Sequence, residues 1–199
     1  MSTEELTPEE IEANWTKYRT MLEKLGSRTE TALTMVTALE ERLCLAPASG
    51  RTDYHNAFPG GLVDHSLRVL GNAAKLCKTF GWDVPKDSLI LACLFHDLGK
   101  VGDVENDYYV PQDEQWRIDK YGALYKINME MQYMAVPQRS LFLCQHFGLK
   151  LTQDETLAIL LHDGQYVEAN KDYCFKEPLL ADIVALADVI ACKQEKGKL

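Results

Sequence analysis

The sequence predicts an all-α fold, a single helical bundle with an N-terminal helical pair and one small inserted β-hairpin. Three observations predict it. Apolar residues recur at helical spacing over most of the chain. Helix-start signals head several of these stretches, two of them as capping boxes. Only one stretch, 107–128, is dense in Tyr, Trp and other β-formers with turn candidates between them. The chain has 199 residues, 46% apolar and 26% charged, enough for one domain with a real core and too apolar for disorder.

The elements follow in order. Thr7-Pro8-Glu9-Glu10 is a capping box with proline at the first helical position, so a helix starts there and runs to about Gly26. Residues 27–45 read as a second helix, with Leu33, Val36, Leu39 and Leu43 on one face. Residues 1–50 are thus a helical extension packed on a domain spanning 51–199. The pair reads as a packing layer or as a homodimer surface. "APASGRTDYHNAFPGG", 46–61, is a loop. Helices are expected over 62–80 and 86–98, and the hairpin over 107–128. The helical pattern resumes near Gln138. A second capping box, Thr152 to Glu155, opens a helix ending near Leu161, and Pro178 precedes a last helix over 179–193. No repeat or linker divides the chain.

Charge and composition exclude several classes. The net charge is −9 and the pI about 5.0, which argues against a basic surface for long nucleic acid. A small anionic substrate remains compatible, because one buried cation outweighs global charge locally. No apolar run approaches the roughly 18 residues of a membrane span. The N-terminus is polar and acidic, unlike a secretory signal. Six cysteines are scattered without a C-x-x-C pair, so free thiols and a reducing, cytoplasmic setting are expected.

The chemistry lies in a few polar residues set into apolar segments. His65 stands in "GGLVDHSLRVL", His96-Asp97 end the apolar run 89–95, and Asp188 stands in "IVALADVIACK". An aspartate in such a helix is costly unless it is paired or binds a cation. Three helices each offering imidazole or carboxylate can share one ion, as helical bundles do. The ligand set would be His65, His96, Asp97 and Asp188. Two nitrogens with two carboxylates suit a divalent transition metal, Mn, Fe, Co, Ni or Zn, with Mg also admissible.

These four residues, in this order and with the longer "HDLGK" form, resemble the H…HD…D signature of the HD-domain superfamily of metal-dependent phosphohydrolases. "YHNAFPGGLVDHS", "LLHDGQY" and "ADVIACK" are similar to further segments of one branch, so the resemblance covers roughly 54–193. It implies a mostly helical HD-domain fold and a metal-dependent phosphohydrolase. Such an enzyme cleaves a phosphate ester of a nucleotide or similar small phosphorylated substrate with metal-activated water. Asp97 and Lys100 would be catalytic. Lys100 is read in similar proteins as a phosphate contact, and its bland alternative is a solvated lysine at a helix end. His55 would act as general acid or merely line the pocket. Arg68, one turn from His65, would face the substrate or make an ion pair. Asp64 should point away from the metal, and Asp103 and Glu105 are read as surface acids. Gly99 would let the chain turn away after the HD pair.

Some relatives hold two metals. His162 and Asp163 stand where these have "HHG" and are candidates for a second metal or a phosphate contact. The other extra histidine would fall at Gln138, a poor ligand, and His146 reads as a helix-end residue. One metal per chain is therefore expected rather than two. Alternatives to small-substrate hydrolysis are a 3′→5′ nuclease acting on short oligonucleotides and a non-catalytic nucleotide-binding regulatory module. The hairpin aromatics Tyr108, Tyr109, Trp116, Tyr121 and Tyr125 would either wall the substrate or pack the hairpin onto the helices.

Overall fold

The computed structural model describes residues 5–197, so residues 1–4 of the expected extension and 198–199 lie outside it. It is a helical bundle with one two-stranded antiparallel ribbon. Helix α1 (Pro8–Leu22) starts as its sequence dictates. The Thr7 hydroxyl accepts from the Glu10 N–H at 3.3 Å, and the Glu10 carboxylate accepts from the Thr7 N–H at 2.8 Å. It stops short of Gly26, which opens a 3₁₀ turn, Gly26–Arg28.

The helix expected over 27–45 is two helices, α2 (Thr29–Ala38) and α3 (Glu40–Leu45). Leu39, at φ −103° and ψ 4°, leaves helical geometry between them. Apolar spacing runs unbroken through this kink, because Met35, Val36, Leu39 and Leu43 are all buried in the same core, so periodicity alone does not reveal it.

Helices α4 (Gly61–Phe80) and α5 (Lys86–Phe95) follow. Gly61 is required by close approach: a Cβ there would lie 2.2 Å from the Asn56 carbonyl oxygen. After α5 the chain passes through His96 and Asp97 into a 3₁₀ turn, Leu98–Val101. The strands β1 (Tyr109–Pro111) and β2 (Tyr125–Ile127) pair with Tyr109 opposite Ile127. They are not joined by a simple turn, because a short helix, α6 (Gln115–Tyr121), lies between them. The Gly50 and Thr52 backbones bond to Tyr125 and Gly122, tying this insert to the loop that precedes α4.

Helix α7 (Val136–His146) is followed by α8 (Gln153–Leu161), whose Thr152–Glu155 capping box is complete, and by α9 (Leu179–Glu195). Gly99 serves packing rather than a turn. Its φ is unexceptional, and a Cβ there would sit 2.3 Å from the Val136 carbonyl oxygen of α7.

Two apolar clusters hold the bundle. The first joins α1–α3 to α4 and α5, with Tyr18, Leu22 and Met35 against Leu62, Leu91 and Phe95. The second, among α4, α5, α8 and α9, is built on small residues: Ala73, Ala92, Ala158, Ala187 and Ala191. Small side chains let these four helices approach closely, and these helices carry the site. The two clusters are also bridged by charge. Arg28 donates to both oxygens of fully buried Glu155 at 2.8 and 2.7 Å and to Asp87 at 2.7 Å. Cys93 and Cys144 are buried and all six cysteines are free. Among the described residues, no helix is long and apolar enough to cross a membrane.

Candidate metal centre

Four helices bring their polar residues to one point. His65 comes from within α4, His96 and Asp97 from the end of α5, Asp188 from within α9 and His162 from the end of α8. The three histidines and Asp97 are at most 3% exposed. His65 Nε2 lies 3.3 Å from His96 Nε2, 3.0 Å from Asp188 Oδ1 and 3.7 Å from Asp97 Oδ2. Asp97 divides its oxygens. Oδ2 faces His96 Nε2 at 3.4 Å and the Lys100 ammonium at 2.6 Å, while Oδ1 faces His162 Nε2 at 3.4 Å.

The end of α5 is built to hold its two ligands still. A helix terminus leaves its last carbonyls without partners. Here the Cys93 carbonyl faces His96 Nδ1 at 2.8 Å, the Leu94 carbonyl accepts from the Tyr18 hydroxyl at 2.9 Å, and the His96 carbonyl accepts from Ser140 at 3.1 Å. Ser140 also accepts from the Gly99 N–H at 2.8 Å. Residues from α1 and α7 thus clamp the turn that carries His96 and Asp97.

The donor set fits a divalent cation. His65, His96 and Asp188 have ligand atoms within 4.8 Å of one another, and so do His96, Asp97 and His162, and His55, His65 and Cys192. Imidazole nitrogens with carboxylate oxygens match borderline and hard metals. The electrostatics agree, because in the metal-free site the acids compel positive charge. Burial opposes protonation of His65, yet the Asp188 and Glu195 carboxylates outweigh it and raise its pKa to about 10. Burial also opposes protonation of His162, and Asp97 still raises it to about 9. Against their own burial, Asp97 is held well below the usual carboxylate range by Lys100 and His96, and Asp188 is lowered by His65. A site whose acids hold protons on His65 and His162 is one that a cation would fill.

The remaining candidates divide. Lys100, its side chain 14% exposed beside Asp97, has its pKa raised because the carboxylate outweighs its desolvation. The His55 ring lies tilted against the His65 ring, 4.7 Å between centroids, with Nδ1 3.4 Å from the Cys192 sulfur and Nε2 buried without a partner among the described residues. Burial, then the charges of His65 and Lys100, lower its pKa to about 3 in the metal-free site, where it lies against His65. Arg68 makes ion pairs within the protein. Its guanidinium is held by Asp64 at 3.0 Å and Glu195 at 3.2 Å, because the helix turns it toward those carboxylates. Asp163 is half exposed and belongs to none of these ligand groups; its nearest oxygen is 3.6 Å from His162.

Gln138 is exposed on α7, which contributes Ser140 to the site rather than a ligand. His146 is exposed at the end of α7. Asp103 accepts from the N–H groups of Glu105 and Asn106, closing its own turn. The aromatics of the insert part company. Tyr108 covers the Arg139 guanidinium at 4.8 Å, and Tyr108, Tyr109 and Tyr125 line a cleft of about 260 Å³ together with Lys100. Trp116 and Tyr121 are exposed and pack on each other.

Sequence reasoning passed over Glu195, Cys192 and Ser140. A signal existed for the first two: Cys192 and Glu195 stand one and two helical turns beyond Asp188 on the same face. Ser140 carried none, since its contact depends on how α7 packs.

Searches of curated proteins and of solved structures gave no match. The HD domain family model matches residues 62–191, more than half of the chain and the segment holding His65, His96, Asp97, His162 and Asp188. This match, on a helical bundle whose histidine–aspartate centre has the donors a divalent metal needs, makes the chain a member of the HD-domain superfamily of metal-dependent phosphohydrolases.

Proposed function

We propose that the protein hydrolyses a phosphate ester of a nucleotide or similarly small phosphorylated substrate, with one divalent cation held by His65, His96, Asp97 and Asp188. The observation that carries this reading is the position of Lys100, whose ammonium is fixed 2.6 Å from the carboxylate of Asp97, one of these four ligands. A permanent cation beside a metal ligand suits an anionic phosphoryl group, and in phosphoryl transfer positioning and charge neutralisation carry most of the catalysis. The bound metal supplies a water acidic enough to attack near neutral pH and a positive charge for phosphoryl oxygen.

The protein's own side chains would do the rest. Lys100 binds and orients the phosphate. His162, on the far oxygen of Asp97, stands where a phosphate oxygen or leaving group can be met. The tyrosine-lined cleft beyond Lys100 would receive the part of the substrate that is not cleaved. One metal is favoured because the His65–His96–Asp188 and His96–Asp97–His162 groups meet at His96, and Asp163, which could have filled out a second site, is half exposed. The net charge of −9 favours a small substrate over a long polyanion.

The test is phosphate release from nucleotides and from a generic phosphodiester by protein loaded in turn with Mn, Co, Ni or Mg. Turnover with about one metal per chain, abolished in His96→Ala, is expected. Absence of turnover in protein shown to hold metal would overturn the enzymatic reading, and two tightly bound metals would overturn the stoichiometry.

A further inference from the structure

The histidines of this centre are oriented in two different ways. His96 and His162 close α5 and α8, where helix-end carbonyls are free. The Nδ1 of each lies 2.8 Å from the carbonyl three residues back, that of Cys93 or Ile159. Each ring therefore has Nδ1–H engaged and Nε2 turned to Asp97. His65 has no such carbonyl, because it lies inside a 20-residue helix whose backbone bonds to itself. Its Nδ1 is 3.1 Å from both oxygens of Glu195, the last residue of α9.

Glu195 is 4% exposed. A buried carboxylate needs partners, and this one has two. Arg68 Nε reaches it at 3.2 Å from one side and the His65 ring from the other. Arg68 is held in turn by Asp64, which also accepts from Asn56 at 2.9 Å and from Asn14 of α1 at 3.3 Å. If Glu195 served only to pair with Arg68, nothing would require its two oxygens to straddle Nδ1 of a metal-ligand histidine.

We propose that Glu195, braced by Arg68, is the positioning residue for His65. It keeps Nδ1 protonated and presents Nε2 to the metal. It does for His65 what a backbone carbonyl does for His96 and His162, but with a full negative charge, which makes the imidazole a stronger donor. This inference rests on the metal-binding reading of the site.

The test compares wild type with Glu195→Gln, which keeps an acceptor but not the charge, Glu195→Leu, which keeps neither, and Arg68→Met. Metal-free protein is titrated with Zn, Co or Mn against a competing chelator, and the Nδ1–H protons of the zinc-loaded forms are followed by NMR. Glu195→Leu is expected to bind metal about 10- to 100-fold more weakly, with Glu195→Gln and Arg68→Met in between. The His65 Nδ1–H resonance should lie downfield in wild type and move upfield in the variants, while those of His96 and His162 stay in place. Unchanged metal affinity and an unmoved His65 resonance in the folded variants would overturn the inference. Wild type that binds none of these metals would overturn the site itself, a different outcome. Should Glu195→Leu not fold, Glu195→Gln and Arg68→Met carry the comparison.

Discussion

His65 and Asp188 project from within α4 and α9, whereas His96, Asp97 and His162 stand where α5 and α8 end. The two sides face different physical problems. Inside a helix the backbone is rigid but already bonded to itself, so orientation of a ligand must come from another side chain, and Glu195 meets His65. At a helix end the backbone has free carbonyls but is prone to fray. There the carbonyls orient His96 and His162, and Tyr18 and Ser140 hold the end of α5 in place. The ends of α5 and α8 also bring the negative poles of two helix dipoles toward the centre, which favours a cation. Rigid helices supply the deep side and clamped ends supply the side where Lys100 and the cleft lie.

Asp97, at the end of α5, links the two sides, with one oxygen 3.7 Å from His65 and the other 3.4 Å from His162, so its loss should have the largest effect. Asp97→Ala is expected to lower phosphate release by about a thousandfold or more, since a metal ligand and its charge are worth several kcal/mol in the transition state. Elemental analysis should find metal lost in parallel, and a variant that kept both metal and turnover would break the division of roles.

The next effect separates the sides. His65→Ala should lose the metal. His162→Ala should retain it, while kcat falls about a hundredfold, the scale of one charge-stabilising or proton-handling group. Equal loss of metal in both variants would mean that the helix-end side holds an ion as firmly as the deep side.

The smallest effect is on stability in chelator. Both His65 and His162 have pKa values raised above the ordinary 6.5, to about 10 and about 9. A raised histidine pKa stabilises the fold fully below about pH 6.5, and that contribution fades as pH climbs through the folded value. The melting temperature of metal-free protein should therefore fall by a few degrees between pH 7 and 10. Saturating metal requires neutral imidazoles and should flatten the profile. A flat profile without metal would show that the acids do not force protons onto these rings.

Much of this was legible in the sequence wherever the cause was local. The capping boxes at Thr7 and Thr152 act within four residues and appear where the pattern places them. Polar residues set in apolar helices pointed to a shared ion because burial of His65, His96 and Asp97 follows from their neighbours. What depended on packing was illegible. The break at Leu39 leaves no mark on apolar spacing, and α6 sits in a stretch whose tyrosines read as strand. Arg68, one turn from a ligand, reads equally as a substrate contact or an ion-pair residue, and only the packing of α9 supplies Glu195 as its partner. Gly99 looked like a turn residue and is instead the place where α7 comes too close for a side chain.

The Tyr18 hydroxyl bonds the Leu94 carbonyl two residues ahead of His96, yet Tyr18 lies outside the matched span of 62–191. The border drawn by family similarity therefore cuts through a folding unit. A fragment trimmed to that border would keep every proposed metal ligand and lose the strut beneath two of them, together with half of a shared apolar core. Shared ancestry marks which residues do the chemistry, and cooperativity marks how much chain is needed to hold them.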